Sequence, residues 1–281
     1  AAQRIEPGES PASAVRRKPD SSIVAGLTLQ KEGAVDAFVS AGSTGAVMAA
    51  SHFLLRPLPG VARPTVATVL PTAADPIVML DAGANVDSKP FHLLQFAQLG
   101  AIYARDVLGR PEPRVGLLNI GEEAEKGDDL AVETYRLLSE SGLRFVGNIE
   151  GRDIIHGGFD VLVTDGFVGN VLLKFYESVA AFFIGLLKRE IASSGAELDL
   201  SEIYRTLDYT EYGGAPLLGV NGLSIICHGG SPPRAVRNAI RVAIRAVETD
   251  MVGSIRSELA AVPDGGNGAV EPQPGRAVEG A

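Results

Sequence analysis

The sequence predicts an α/β fold, with a largely parallel sheet covered by helices on both faces. Three observations carry this. Short apolar runs alternate with stretches of helical periodicity. Most of the runs are apolar throughout rather than at every second residue, as strands buried on both faces are. The run ends share small polar clusters rich in glycine, the usual form of a strand-to-helix turn at a ligand-binding edge.

Taken in order, the first run is Ala37–Ser40, which leads into the cluster Ser40–Gly45. Thr65–Leu70 and Ile77–Leu80 follow closely, the second ending in Asp81–Asn85. A helix over Ser88–Leu108 returns the chain to Val115–Leu118 and the cluster Asn119–Glu123. A helix over Asp129–Ser141 precedes Phe145–Val146 and Asn148–Gly151. Val161–Val163 runs into Asp165–Asn170 and a long helix over Val168–Ile191. Ser224–Cys227 ends in His228–Ser231, and a last helix spans Pro232–Leu259. Ser231 is placed to cap that helix, and Pro232 sits where a helix start tolerates proline. Val236, Ile240, Ile244, Val247, Met251, Ile255 and Leu259 form its apolar stripe. Beyond it, Pro263–Ala281 is rich in Gly, Pro and small polar residues and is expected to be a disordered tail.

Composition narrows the function. The 281 residues carry a net charge of -9, which argues against general nucleic-acid binding. An acidic partner would need a local basic patch. Arg234, Arg237, Arg241 and Arg245 on the last helix make one, although a solvated helix face is the plainer explanation. The single cysteine, Cys227, allows no internal disulfide and fits a reducing cytoplasm. No run approaches the ~20 apolar residues of a membrane span, and no signal peptide opens the text. Val179–Leu187 is apolar on nearly every side. It suits a core or dimer helix, or a tip that dips into lipid headgroups.

There is no GxxxxGK[ST], no GxGxxG and no GxSxG. His52, His92, His156 and His228 lack metal-ligand spacing, and Cys227 reads as a buried small hydrophobe, so no metal and no cofactor is expected. What remains is an edge of glycine-rich strand ends. There, backbone N–H groups and helix N-termini can hold an anion, though any one loop alone is an ordinary turn.

Eight stretches in series resemble the phosphate acyltransferase family, the acyl-carrier-protein phosphate transacylases known as PlsX. They are VRRKPDSS at Val15–Ser22, VSAGSTGA at Val39–Ala46, LDAGANVD at Leu80–Asp87 and LLNIGEEAEKG at Leu117–Gly127. GNIEGRDI at Gly147–Ile154, TDGFVGNVLLK at Thr164–Lys174, EYGGAPLLGV at Glu211–Val220 and ICHGGS at Ile226–Ser231 complete the series. The family more often has Asn where Ser43 stands and Ser where Gly230 stands, changes that keep the residues small.

The resemblance implies a three-layer α/β/α fold with a mostly parallel sheet. That fold is related to phosphotransacetylases and to isocitrate and isopropylmalate dehydrogenases. It also implies a homodimer that converts acyl-ACP and inorganic phosphate reversibly into acyl phosphate and free carrier. The product would feed a membrane-bound glycerol-3-phosphate acyltransferase in phospholipid synthesis. The enzyme would then be cytoplasmic, with a peripheral contact at the inner face of the plasma membrane. The family opens with a first strand and a DAMGGD-like loop. The text here opens at Ala1, so residues 1–262 are expected to form the acyltransferase domain without that front.

On this resemblance, Lys126, Asn170 and His228 are the candidate catalytic groups. Lys126 would face phosphate, or else pair with Glu122 or Glu123. Asn85 and Asn170 would donate amides to phosphate or an oxyanion, or serve their own turns. His228 would protonate the departing thiolate, or act as a structural hydrogen-bonder. Ser43, Thr44, Gly45, Gly83, Gly166, Gly169 and Gly229 would line the anion site. Asp81 and Asp165 would orient Lys126, an amide or a water, or cap helices. Three rivals stand against this. One is an NAD-dependent dehydrogenase on the related fold, for which paired metal carboxylates are lacking. The others are a phosphotransacetylase using acyl-CoA and a non-catalytic scaffold for lipid enzymes.

Overall fold

A computed structural model describes residues 1–194 and 213–260. In chain order the described elements are α1 (Pro11–Arg17), α2 (Ser22–Lys31), β1 (Phe38–Ser40), α3 (Thr44–Leu54), β2 (Thr65–Val66), β3 (Thr68–Leu70), β4 (Ile77–Leu80), α4 (Pro90–Asp106) and β5 (Val115–Asn119). They continue with α5 (Asp129–Glu140), β6 (Phe145–Glu150), β7 (Val161–Val163), α6 (Gly166–Ser194), β8 (Ala215–Leu218), β9 (Ser224–Ile226), α7 (Pro233–Glu248) and α8 (Met251–Ala260). Pro263–Ala281, expected as a disordered tail, and Glu211 and Tyr212 of the seventh motif lie outside the described residues.

The strands form two sheets that meet at one point. The order β1-β9-β8-β2 makes the first sheet and β3-β4-β7-β5-β6 the second. The single apolar run Thr65–Leu70 supplies both β2 and β3, broken at Ala67. Ala67 N–H donates to the Pro216 carbonyl and Ala82 N–H to the Val66 carbonyl, which ties the halves together. Pairing is parallel for β1–β9, β4–β7, β5–β7 and β5–β6. It is antiparallel for β2–β8, β3–β4 and β8–β9, all at or next to the junction.

Alternation along the strands builds the three layers. Val78 and Leu80 of β4, with Val161 and Val163 of β7, pack on the α4, α5, α7 and α8 side. Ile77, Met79 and Leu162 point the other way, to α1, α2, α3 and α6. Both faces are therefore apolar, and that is why these strands read as continuous apolar runs.

Four details depart from what the sequence predicts. The last helix breaks between Glu248 and Met251, where Asp250 takes a φ of 48°. Its first half, α7, starts one residue later than expected, and Pro232 rather than Ser231 occupies the cap position without a side-chain bond. The Ser231 N–H instead closes a turn on the His228 carbonyl. The expected apolar stripe also divides. Met251, Ile255 and Leu259 are buried, whereas Ile240, Ile244 and Val247 are exposed and α7 buries Ala235, Ala239, Ala243 and Ala246. Small alanines let the helix lie close on the core, so the large residues are turned outward. Finally, no run of the sequence is apolar throughout for a membrane span, yet α6 over Gly166–Ile191 is long and apolar enough to cross one by length and composition. Little of it is buried, and its first turns carry the polar groups described next.

Candidate active site

The junction of the two sheets opens into a cleft of about 190 Å³. Thr44 from the start of α3, Ala82 after β4, Asn170 and Lys174 from α6, and His228 after β9 all line it. Cys227 lies at its floor, buried, and burial pushes its thiol above the ordinary range, which disfavours the nucleophilic thiolate. Lys174 Nζ is 2.8 Å from a Glu177 carboxylate oxygen, so cation and anion face the cleft from one helix surface.

Two loops extend this cleft into a wider cavity of about 960 Å³, where Ser43, Thr44 and Gly45 meet His228 and Gly229. Ser43 caps α3 through the Ala46 N–H. The Thr44 and Gly45 N–H groups find no acceptor among the described residues, as befits an open helix N-terminus that favours an anion. His228 Nδ1 accepts the Gly230 N–H at 3.1 Å. In neutral imidazole that places the proton on Nε2, which is left as a donor.

The helix that presents Asn170 is set by its contacts with the end of β4. A Cβ on Gly169 would collide with the Asp81 carbonyl oxygen, and one on Gly166 would sit 2.6 Å from the Asn85 carbonyl oxygen. Glycine at both positions brings α6 against the Asp81–Asn85 loop. Gly83, at a φ of +120°, has its own Cβ position 3.3 Å from the Asn170 side chain. Asp81 has no exposed surface. Its carboxylate accepts from the Val66, Ala84 and Asn85 N–H groups and from the Asn85 amide. Burial raises its pKa, with these donors opposing. The Asn85 amide also donates to the Pro64 carbonyl, so both its protons are used within the fold. Asp165 caps α6, accepting the Phe167 and Val168 N–H groups.

The predicted residues are thus only partly brought together. Thr44, Asn170 and His228 share the cleft, with Ser43, Gly45 and Gly229 around its outer cavity. Asp81, Gly83, Asn85, Gly166 and Gly169 form the frame behind Asn170. Asp165 lines a separate groove on the far side of α6, about 610 Å³ in volume and walled by Leu118, Ile120, Val168, Val171 and Phe175. Lys126 is exposed on the loop after β5 and does not line the cleft. Its ammonium makes no ion pair among the described residues, since Glu122 faces Arg152. Among the described residues, the ammonium that lines the cleft is that of Lys174, the last residue of TDGFVGNVLLK. Its spacing of four from Asn170 places both on one helix surface, a signal that was available.

The three-layer α/β fold thus brings an open helix N-terminus, an amide, an ammonium and an imidazole to one cleft, a set of groups suited to an anion. Residues 1–253 match the family model described as "Fatty acid synthesis protein". A phosphate acyltransferase of Desulforamulus reducens is 52% identical over 258 residues, covering 89% of this chain and 78% of the relative. One of Pelotomaculum thermopropionicum is 52% identical over 272 residues, covering 94% and 80%. Among solved structures, the EutD phosphotransacetylase from Staphylococcus aureus matches at a TM-score of 0.55 and 16% identity, covering 80% of this chain and 66% of that one. The chain belongs to the phosphate acyltransferase family and is an acyltransferase.

Proposed function

We propose that the enzyme transfers a fatty acyl group from acyl-ACP to inorganic phosphate, forming acyl phosphate for phospholipid synthesis. The observation that carries this is the meeting of Thr44, Asn170, Lys174 and His228 in one cleft at an open helix N-terminus. Phosphate is itself a nucleophile, so the protein need only position it and stabilise charge. In this reading the α3 N-terminus, the Asn170 amide and the Lys174 ammonium hold phosphate. Lys126, a cation without an ion pair among the described residues, stands on a neighbouring strand-end loop and adds to the field that draws it in.

A phosphate oxygen attacks the thioester carbonyl. The new C–O bond forms as the carbonyl oxygen takes the negative charge, and amide and backbone donors stabilise it. The C–S bond then breaks with the electron pair going to sulfur. His228 Nε2–H donates a hydrogen bond to the departing thiolate, and the proton that hydrogen phosphate gives up as it becomes acyl phosphate completes the free thiol. Asp81 and Asn85 do not touch substrate. They hold the loop on which α6 rests.

The fatty chain and its product are lipophilic, and the exposed Phe182 and Phe183 on α6 suit contact with a membrane surface. The same apolar face, with Val171 and Phe175, suits pairing with a second copy of the chain. Comparing initial rates with long-chain acyl-ACP, acyl-CoA and buffer without phosphate tests the proposal. A preference for acyl-ACP with an absolute need for phosphate is expected, and equal or better use of acyl-CoA would replace the donor.

A further inference from the structure

On the strength of that proposed donor, we infer that the exposed face of α7 is the docking surface for the acidic carrier protein. The face has two parallel ridges. Arg234, Arg237, Arg241 and Arg245 make one, at spacings of three, four and four. Ile240, Ile244 and Val247 make the other, with 46%, 52% and 42% of their surface exposed. Three β-branched apolar side chains left outward beside arginines, on a helix that buries alanines, cost hydrophobic free energy unless something covers them.

Among the described residues, Arg237, Arg241 and Arg245 make no ion pair, and Arg241 meets only the Asn238 amide, at 3.4 Å. Glu248 is the acidic residue at the far end of the face. On a chain of net charge -9, a local basic ridge favours an acidic partner, whereas the same ridge on a second copy, set against it, would repel it.

The surface is continuous with the site. Ser231 lines both the catalytic cleft and the shallow groove that runs past Val236, Arg237, Ile240, Arg241 and Ile244. At 1.5 Å per residue the helix carries the ridge away from the cleft by roughly 9 Å at Arg237 and roughly 15 Å at Arg241. A carrier seated there would have its thioester arm directed along α7 to His228. Arginine supplies the charge-assisted bonds to carboxylates, and the isoleucines supply the apolar contact that an acidic helix with an apolar seam requires.

The test uses the full chain and its Arg237→Glu/Arg241→Glu variant, assayed for acyl phosphate with long-chain acyl-ACP and with the same acyl group on pantetheine, which lacks the protein. The variant should raise KM for acyl-ACP about tenfold or more at low salt and flatten its salt dependence. Its kcat/KM for acyl-pantetheine should be unchanged. An Ile244→Glu variant should behave in the same way, because it removes the apolar ridge.

Unchanged acyl-ACP kinetics in these variants, while the unaltered chain uses acyl-ACP, would overturn the docking surface and leave the proposed function standing. Equal loss with both donors would overturn it in favour of a structural role. Loss of anionic-vesicle binding or of dimer, with acyl-ACP kinetics intact, would assign the face to lipid or to a second copy. Turnover of acyl-pantetheine but not acyl-ACP by the unaltered chain would overturn both proposals together.

Discussion

Asn170 and Lys174 stand one helical turn apart on α6, and their side chains line the same cleft as Thr44 and His228. If they hold the phosphate, Asn170→Ala and Lys174→Ala should each lower turnover by ~10²–10³ with the fold retained, as loss of a preorganised donor does. Lys126→Ala should also lower it, mainly through kcat/KM, since an exposed cation acts on capture. Steady-state rates beside circular dichroism would check this. Near-normal turnover in all three would remove the charge-stabilising role assigned to them.

Asp160 gives a second residue-scale expectation, about stability. Burial alone would raise its pKa. The Arg114 guanidinium and N–H, with Arg110 beyond, instead hold it below the usual carboxylate range. A lowered native pKa means a contribution that is complete above about pH 4 and is lost as pH falls through the native value. Asp160→Asn should therefore cost most at neutral pH, with the gap from the parent closing in acid. Urea midpoints at pH 7 and pH 3 measure it, and a gap independent of pH would contradict the assignment.

At the scale of elements, the decisive packing is α6 on the end of β4. Gly169→Ala would drive a methyl group into the Asp81 carbonyl oxygen, backbone that cannot rotate away. It should destabilise the fold by about 1–3 kcal/mol and displace Asn170, so activity falls further than stability alone explains. Full activity with an unchanged Tm would show that the loop yields.

Much of this scale was legible in the sequence, and the rest failed for physical reasons. β4 and β7 read clearly because both their faces are buried. The run Thr65–Leu70 read as one strand because apolarity does not report the break at Ala67, where the strand passes from one sheet to the other. α1, α2 and α3 were not read because they lie among loops whose glycine and serine content masks helical period. The apolar stripe of the last helix is legible as a stripe, but it divides between buried Met251, Ile255 and Leu259 on α8 and exposed Ile240, Ile244 and Val247 on α7. Periodicity fixes which residues share a face, not which face is inward, and here alanines took the inner side. The same limit hides which way a strand-end carboxylate turns, and here Asp81 turns inward to accept four hydrogen bonds, from Val66, Ala84 and twice from Asn85.

At the scale of the whole molecule, two sheet halves hinge on one cleft, and a long helix runs out from it with its apolar side bare. Phe182 and Phe183 are 61% and 52% exposed. Phe183→Asp should weaken flotation with anionic vesicles more than it lowers turnover of soluble donor. Unchanged flotation would assign that face to subunit pairing or to packing. The central claim is that this cleft joins an acyl thioester to phosphate without a covalent enzyme intermediate. The most direct measurement incubates the chain with long-chain acyl-ACP and phosphate and traps acyl phosphate as the hydroxamate with hydroxylamine. Hydroxamate should form in proportion to free carrier, require phosphate, and fall by ~10²–10³ in Asn170→Ala. Carrier release without phosphate, or equal trapping by the Asn170→Ala variant, would contradict the account.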